Sequence, residues 1–159
     1  MTNEEQLIGK FYACFNQRDC VGMQACYHDD IEFSDPVFPH LKGKQPKAMW
    51  HMLCAASKDI RITVSDIKAD AQTGGCKWNA AYTFSRTNRP VLNKITASFI
   101  FKDGKIIQHH DDFNFWAWSK QALGTPGLLL GWTSIIKNKV RRTASNNLIK
   151  FIEKNEQYK

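Results

Sequence analysis

Three titratable side chains stand where strand alternation calls for core. In Asp30-Ile31-Glu32-Phe33-Ser34-Asp35-Pro36, the alternate residues Ile31, Phe33 and Asp35 share one face. In the segment Lys105 to Phe115, Ile107, His109, Asp111, Phe113 and Phe115 do the same. A buried carboxylate without a partner is costly, so it either finds one or holds its proton to higher pH. A carboxyl lifted toward neutrality suits a general base. A His and an Asp two residues apart on one strand face can act together as an acid or as an orienting pair. Asp35, His109 and Asp111 are therefore the candidate catalytic residues, expected to converge in one aromatic-lined cavity. Each also has a plainer reading. Asp35 would accept loop amides at a strand end before Pro36, and His109 with Asp111 would be a buried polar pair closing the sheet.

Candidate ligand contacts are Trp50, Trp78, Tyr82, Phe99 and Phe113, with Asn93 at the head of an apolar strand face. Aromatics at such spacings serve equally as core. Tyr82 is the expected hydrogen-bonding member, because a buried phenol needs a partner. The tract His109-His110-Asp111-Asp112 is not read as a metal site, since successive strand residues point to opposite faces and at most two could reach one ion. There is no Gly-rich phosphate loop, no nucleophile elbow and no Cys/His nucleophile pattern. The expected chemistry needs no cofactor and no metal.

Helices and strands must hold these residues. Thr2 with Glu5 forms a capping-box pattern, and Ile8, Phe11, Tyr12 and Phe15 follow helical spacing, which predicts a helix over 3–17. Asp19 is placed to cap a second short helix to about Tyr27. A strand over 30–35 stops at Pro36, and a Pro/Gly-rich loop leads to a helix over 46–58. Four strands follow. Ile60, Ile62 and Val64 alternate, then the phase shifts to Ile67, Ala69 and Ala71, which predicts a bulge near Ser65-Asp66. Cys76, Trp78, Ala80, Tyr82 and Phe84 share a face of the next strand, and Asn93, Ile95, Ala97, Phe99 and Phe101 a face of the one after. Asp103-Gly104 is a hairpin signal. A three-residue turn with a glycine bulge would align Ile107, His109 and Asp111 with Phe99 and Phe101; a two-residue turn would align His110 and Asp112 instead. The first is adopted, because the odd face runs on to Phe113 and Phe115. A helix over 128–155 is predicted to close the chain, with Trp132, Ile136, Val140, Ala144, Leu148 and Phe151 on one stripe.

The 159 residues suit one domain, and a 43% hydrophobic content supplies a sizeable core. The formal charge of +7 is spread over a mixed surface. The concentrated stretch Lys137-Asn138-Lys139-Val140-Arg141-Arg142 reads as a solvated helix face, so no nucleic-acid role is expected. Cysteines at 14, 20, 26, 54 and 76 form no C-x-x-C pair and read as reduced thiols of a cytoplasmic protein. No signal-peptide pattern opens the sequence and no apolar run approaches bilayer length. No membrane association is expected, and the closing helix is expected to dock on its own domain or on a second copy.

The order helix, helix, strand, helix and four-strand meander resembles the nuclear-transport-factor-2-like superfamily, which includes ketosteroid isomerase, limonene-epoxide hydrolase and SnoaL-like polyketide cyclases. The matching segments are Phe15-Asn16-Gln17-Arg18-Asp19, Asp30 to Pro36, and Asp103-Gly104-Lys105-Ile106 through Phe113, within residues 3–123. Phe115-Trp116-Ala117-Trp118, Ala122-Leu123-Gly124 and a long final helix resemble an uncharacterised SnoaL-like subgroup. The resemblance implies an α+β cone: N-terminal helices packed on a curved, mostly antiparallel sheet enclosing a pocket. It implies a SnoaL-like domain over 1–125, with a helical extension over 126–159, and a homodimer through the outer sheet face. It places Asp35 at the ketosteroid-isomerase general-base position, but Phe11 and Ala97 at that site's two oxyanion positions. Asp111 falls on a catalytic aspartate of limonene-epoxide hydrolases, whose Arg-x-Asp pair has no counterpart at Trp78, Ala80 and Tyr82. The expected function is a small hydrophobic-molecule pocket, used for cofactor-independent isomerase, cyclase or hydrolase chemistry by Asp and His. A non-catalytic binding module or a structural and interaction protein of the same fold is the alternative.

Overall fold

In the computed structural model, which covers residues 1–159, Thr2 caps α1 (Asn3–Asn16) through a full capping box with Glu5. Ile8, Phe11, Tyr12 and Phe15 are all buried on its inner face. Asp19 Oδ1 accepts the Gly22 amide at 2.9 Å and starts α2 (Cys20–Ala25). There follow β1 (Tyr27–Ser34), the two-residue β2 (Leu41–Lys42), α3 (Lys44–Ala56), β3 (Arg61–Ala69), β4 (Thr73–Phe84), β5 (Arg89–Lys102), β6 (Lys105–Asp112), α4 (Phe115–Leu123), α5 (Thr125–Leu130) and α6 (Ser134–Lys154). The six strands form one unclosed sheet in the order β2-β1-β6-β5-β4-β3. Only the β1–β6 pair is parallel; the others are antiparallel. The fold is the α+β cone expected, with α1 lying along β3 and α3 near β1 and β2.

Register decides what points inward. The β3 bulge lies where predicted: Asp66 takes φ 54° and the pairing shifts between Ser65 and Lys68. The β5–β6 hairpin reaches the expected pairing by another route. Asp103 and Gly104 have φ 52° and 69°, and Lys102 faces Lys105, so the turn is the two-residue kind. The extra residue sits further along: Phe101 pairs with Ile106 but Ile100 pairs with Gln108, leaving Ile107 as the bulge. Ile106 is thus the buried residue rather than Ile107, while Phe99 faces His109 and Ala97 faces Asp111 as predicted. β6 also stops at Asp112, because Asn114 Oδ1 accepts the Ala117 amide at 2.9 Å and begins α4. Phe115 is therefore a helix residue, packed with Trp118 and Val91.

The closing helix differs from the prediction over 128–155. The segment is broken at residues 131–133, after α5 ends at Leu130 with Gly131 as its C-cap and before α6 begins at Ser134. A Cβ at Gly127 would fall on the Ser119 carbonyl oxygen and one at Gly131 on the Ser119 hydroxyl, so these two glycines let α5 press against α4. Ile136 and Val140 pack on the Phe115–Trp118 cluster, and Ala144, Leu148, Phe151 and Ile152 on the main core. Trp132 does not join that stripe; it is 70% exposed. At the chain end Tyr158 Oη accepts from Gln24 Nε2 at 2.7 Å and meets His51 Nδ1 at 3.0 Å. Gly127→Ala is expected to pry α5 from α4 and to cost about 2 kcal/mol, as overpacking against backbone does. The midpoint of urea unfolding checks this, and an unchanged midpoint would show that the contact is soft.

Candidate active site

The mouth of the sheet encloses a cavity of about 330 Å³ with mostly hydrophobic walls. That is at the small end of ligand pockets. Met49, Trp50 and Leu53 of α3 form one wall, Trp78, Ala80 and Tyr82 of β4 another, and Val140, Thr143, Ala144 and Asn147 of α6 a third. Asp35, Asn93, Asp111 and Phe113 also face it. His109 and Phe99 do not. His109 lies behind Asp111, 1% exposed, with the Phe99 ring centred 4.6 Å from its own. Phe99 belongs to the support of the site, because its row of the sheet is covered by α1 rather than by the cavity: Phe11 stands 5.5 Å from the same imidazole.

Asp35 ends β1 and turns the chain. Its Oδ1 accepts the amides of Val37 at 2.7 Å and Phe38 at 2.6 Å, and its own N–H donates to the Phe38 carbonyl at 2.9 Å. The plainer reading of Asp35 is met, since one oxygen secures the loop; the other oxygen has no protein hydrogen-bond partner. The Pro36 carbonyl accepts from Arg141 Nε at 2.8 Å, so α6 fixes this loop from the far side. Asp35 is half-buried by surface area, and what surface it keeps opens into the cavity. Burial pushes its carboxyl up to about 7, with the Asp111 charge adding to the rise, against the two loop amides and Arg141, which oppose it.

Asp111 sits in a buried relay. Its Oδ1 accepts Trp78 Nε1–H at 3.1 Å and meets His109 Nε2 at 3.0 Å. His109 Nδ1 lies 2.7 Å from Tyr27 Oη, which accepts Trp50 Nε1–H at 2.8 Å. Burial holds the Tyr27 phenol well above its ordinary range, so it keeps its hydrogen. That hydrogen has one acceptor within reach, Nδ1. The imidazole hydrogen must then be on Nε2, aimed at Asp111. Every polar hydrogen in the chain Trp50, Tyr27, His109, Asp111 is placed in this way, and Trp78 supplies Asp111 with a second donor. Both bonds use Oδ1 and leave Oδ2 without a protein hydrogen bond, and the residue lines the cavity.

Tyr82 completes the polar set. Its Oη accepts Trp118 Nε1–H at 2.8 Å, and burial raises its pKa, so its own O–H is a retained donor with no protein acceptor, on a residue that lines the cavity. The buried thiols offer no nucleophile: burial pushes Cys54 and Cys76 up to about 12 and Cys26 up to about 11. No three His, Cys, Asp or Glu side chains converge as metal ligands.

A strand predicted from Asp30 leaves Tyr27 outside the site, whereas β1 begins at Tyr27. Its signal was the parity it shares with Ile31, Phe33 and Asp35. Arg141 carried no local signal, since it reaches Pro36 across 105 positions.

The sequence matches the SnoaL-like domain family over residues 8–109, more than half of the chain. The chain belongs to that family. Among solved structures, a nuclear-transport-factor-2-like protein of unknown function from Burkholderia pseudomallei is 16% identical, with a TM-score of 0.62 over 72% of this chain and 92% of its own. IdmH, a candidate polyketide cyclase from Streptomyces antibioticus, is 18% identical, with a TM-score of 0.62 over 74% and 96%. A candidate isomerase from Rhodopseudomonas palustris is 17% identical, with a TM-score of 0.63 over 78% and 98%. No functionally curated protein matches the sequence. At these identities the structural likeness establishes the fold of this SnoaL-like chain and leaves its chemistry to its own residues. No helix is long and apolar enough to cross a membrane.

Proposed function

We propose that this SnoaL-like protein binds a small, largely apolar carbonyl compound in the cavity and catalyses a cofactor-independent isomerisation or cyclisation by proton transfer. The observation that carries the reading is the pairing of an Asp35 carboxyl held near neutrality with the free phenolic donor of Tyr82 on one apolar cavity. The unbonded oxygen of Asp35 takes a proton from carbon beside the carbonyl. The C–H electron pair moves into an enolate, whose oxygen accepts the Tyr82 O–H. Return of the proton to another carbon completes an isomerisation; attack of the enolate carbon on a second carbonyl closes a ring, the C=O π pair becoming an alkoxide that takes the proton held by Asp35. Asp111 orients a substrate hydroxyl through Oδ2 and helps Asp35 hold its proton. His109 touches no cavity atom and is a positioning residue, acting through Asp111. The candidate cyclase and isomerase among the structural neighbours support this class of reaction.

The test is hydrogen–deuterium exchange. A panel of apolar ketones and aromatic β-dicarbonyl compounds is first screened by quenching of tryptophan fluorescence, since Trp50, Trp78 and Trp118 line the cavity. Binders are then followed by NMR in D2O for exchange beside the carbonyl. Exchange above the buffer rate, lost in Tyr82→Phe by a factor of about 100, is expected. Binding without accelerated exchange for any member would make the cavity a binding module and remove Asp35 as a base.

A further inference from the structure

We infer that the α5–α6 elbow is a docking surface for an anionic phospholipid bilayer, which goes beyond the proposed chemistry and does not depend on it. The sequence pattern assigned this region to packing, but its apolar side chains divide into two sets. One packs inward along α6. The other, Leu128, Leu129, Leu130, Trp132 and Ile135, points to solvent, with Leu129 62% and Ile135 73% exposed. The reason is on the opposite side: Gly127 and Gly131 give α5 its contact with α4, so the leucines between them are left facing outward. A clustered apolar tip of this kind marks a surface that something covers.

Two observations identify a lipid surface as the cover. The first is charge. Residues 113–152 contain no Asp or Glu, while Lys120, Lys137, Lys139, Arg142 and Lys150 fall there, besides Arg141, which turns inward to the Pro36 carbonyl. Ile135, Lys139, Arg142, Asn146 and Ile149 recur at helical spacing, and all are exposed, so the outer face of α6 carries two basic residues between two apolar ones. Apolar insertion beside unopposed cations is the signature of a helix lying on anionic headgroups. The second is backbone satisfaction. At a helix end the last carbonyls are open and normally need water. Here the Leu128 carbonyl accepts Trp116 Nε1–H at 3.2 Å, the Leu129 carbonyl accepts Trp132 Nε1–H at 3.1 Å, and the Leu130 carbonyl accepts the Thr133 hydroxyl at 2.5 Å. These three carbonyls are bonded within the tip and so enter an apolar phase at little cost, while the first amides of α6 have no side-chain cap.

The experiment is flotation of the full-length protein with phosphatidylcholine vesicles and with vesicles of equal parts phosphatidylcholine and phosphatidylglycerol. Binding to the anionic vesicles alone is expected, and it should weaken as salt is raised. Lys139→Gln with Arg142→Gln should weaken it about five-fold per charge removed. Leu129→Ser with Trp132→Ser should abolish it. These residues are exposed, so thermal melts of the variants should match the parent. Equal binding to neutral vesicles, or no binding to either, overturns the proposal. If sedimentation equilibrium instead shows a dimer that Leu129→Ser with Trp132→Ser splits, the patch is an interface between copies of this chain.

Discussion

Asp35→Asn is expected to slow substrate exchange by a factor of about 100 to 10,000, the usual contribution of a positioned base, while making the protein more stable above pH 7. The two effects have one cause. An Asp carboxyl titrates near 3.9 in the unfolded chain, and Asp35 is held at about 7 in the fold. Below pH 4 the group is protonated in both states and the fold loses nothing. Between about pH 4 and pH 7 the unfolded chain releases the proton and the folded chain retains it, so stability falls as pH rises. Above pH 7 the loss levels off at roughly 4 kcal/mol, taking about 1.4 kcal/mol per pH unit of separation. Asparagine removes the titration but keeps an oxygen for the Val37 and Phe38 amides. The melting temperature of Asp35→Asn should therefore match the parent at pH 4 and exceed it at pH 8. Asp35→Ala loses both amide bonds and should be less stable than Asp35→Asn throughout. Where the parent is active, exchange should rise through pH 7 and then level off, because the base works ionised. Asp111→Asn should move that midpoint to lower pH by removing a like charge. Equal melting temperatures for parent and Asp35→Asn at pH 8 would show that the fold does not raise the titration of this carboxyl, and the proposed base would fail with it.

Strand parity located Asp35 and Asp111 because a cavity-facing position and a core-facing position obey the same alternation. It could not separate the two, and that is why Phe99 and His109 were grouped with the site residues. Whether an inward residue meets cavity or another side chain depends on what covers that row of the sheet. Over His109 it is α1, through Phe11; Trp78 is also packed by Tyr12 and Phe15 of α1, yet it and Asp111 reach the cavity as well. The β5–β6 register carries the same lesson. The expected face was right although the turn was not, because the demand to bury Phe99 against His109 is met equally by a bulge in the turn or by one at Ile107. The closing helix divides after Leu130, at Gly131, whose close packing depends on Ser119, a residue remote from any local pattern. The α+β order, by contrast, was legible because caps, periodicity and turn residues agreed along the whole chain.

Tyr27→Phe is expected to cost roughly 2–4 kcal/mol, far more than the loss of one oxygen from a surface phenol, because it strands two buried groups at once. The hydroxyl accepts from Trp50 Nε1 and donates to His109 Nδ1, and neither has another partner. Trp50→Phe should cost less on the polar side, since Tyr27 can still donate to His109, although it also gives up ring volume against Phe11, Phe15 and Phe33. Once Tyr27→Phe has removed the hydroxyl, the indole N–H is already an orphan, so taking it away as well relieves part of the damage. The double variant should therefore be more stable than the two single losses added together predict, by about 1 kcal/mol or more. Nitrogen chemical shifts of His109 supply a readout that packing loss alone would not move: the parent ring should carry its hydrogen on Nε2, and Tyr27→Phe should disturb that assignment. A Tyr27→Phe protein within about 0.5 kcal/mol of the parent, with the imidazole unchanged, would mean that His109 does not depend on Tyr27 and that Asp111 is oriented by Trp78 alone.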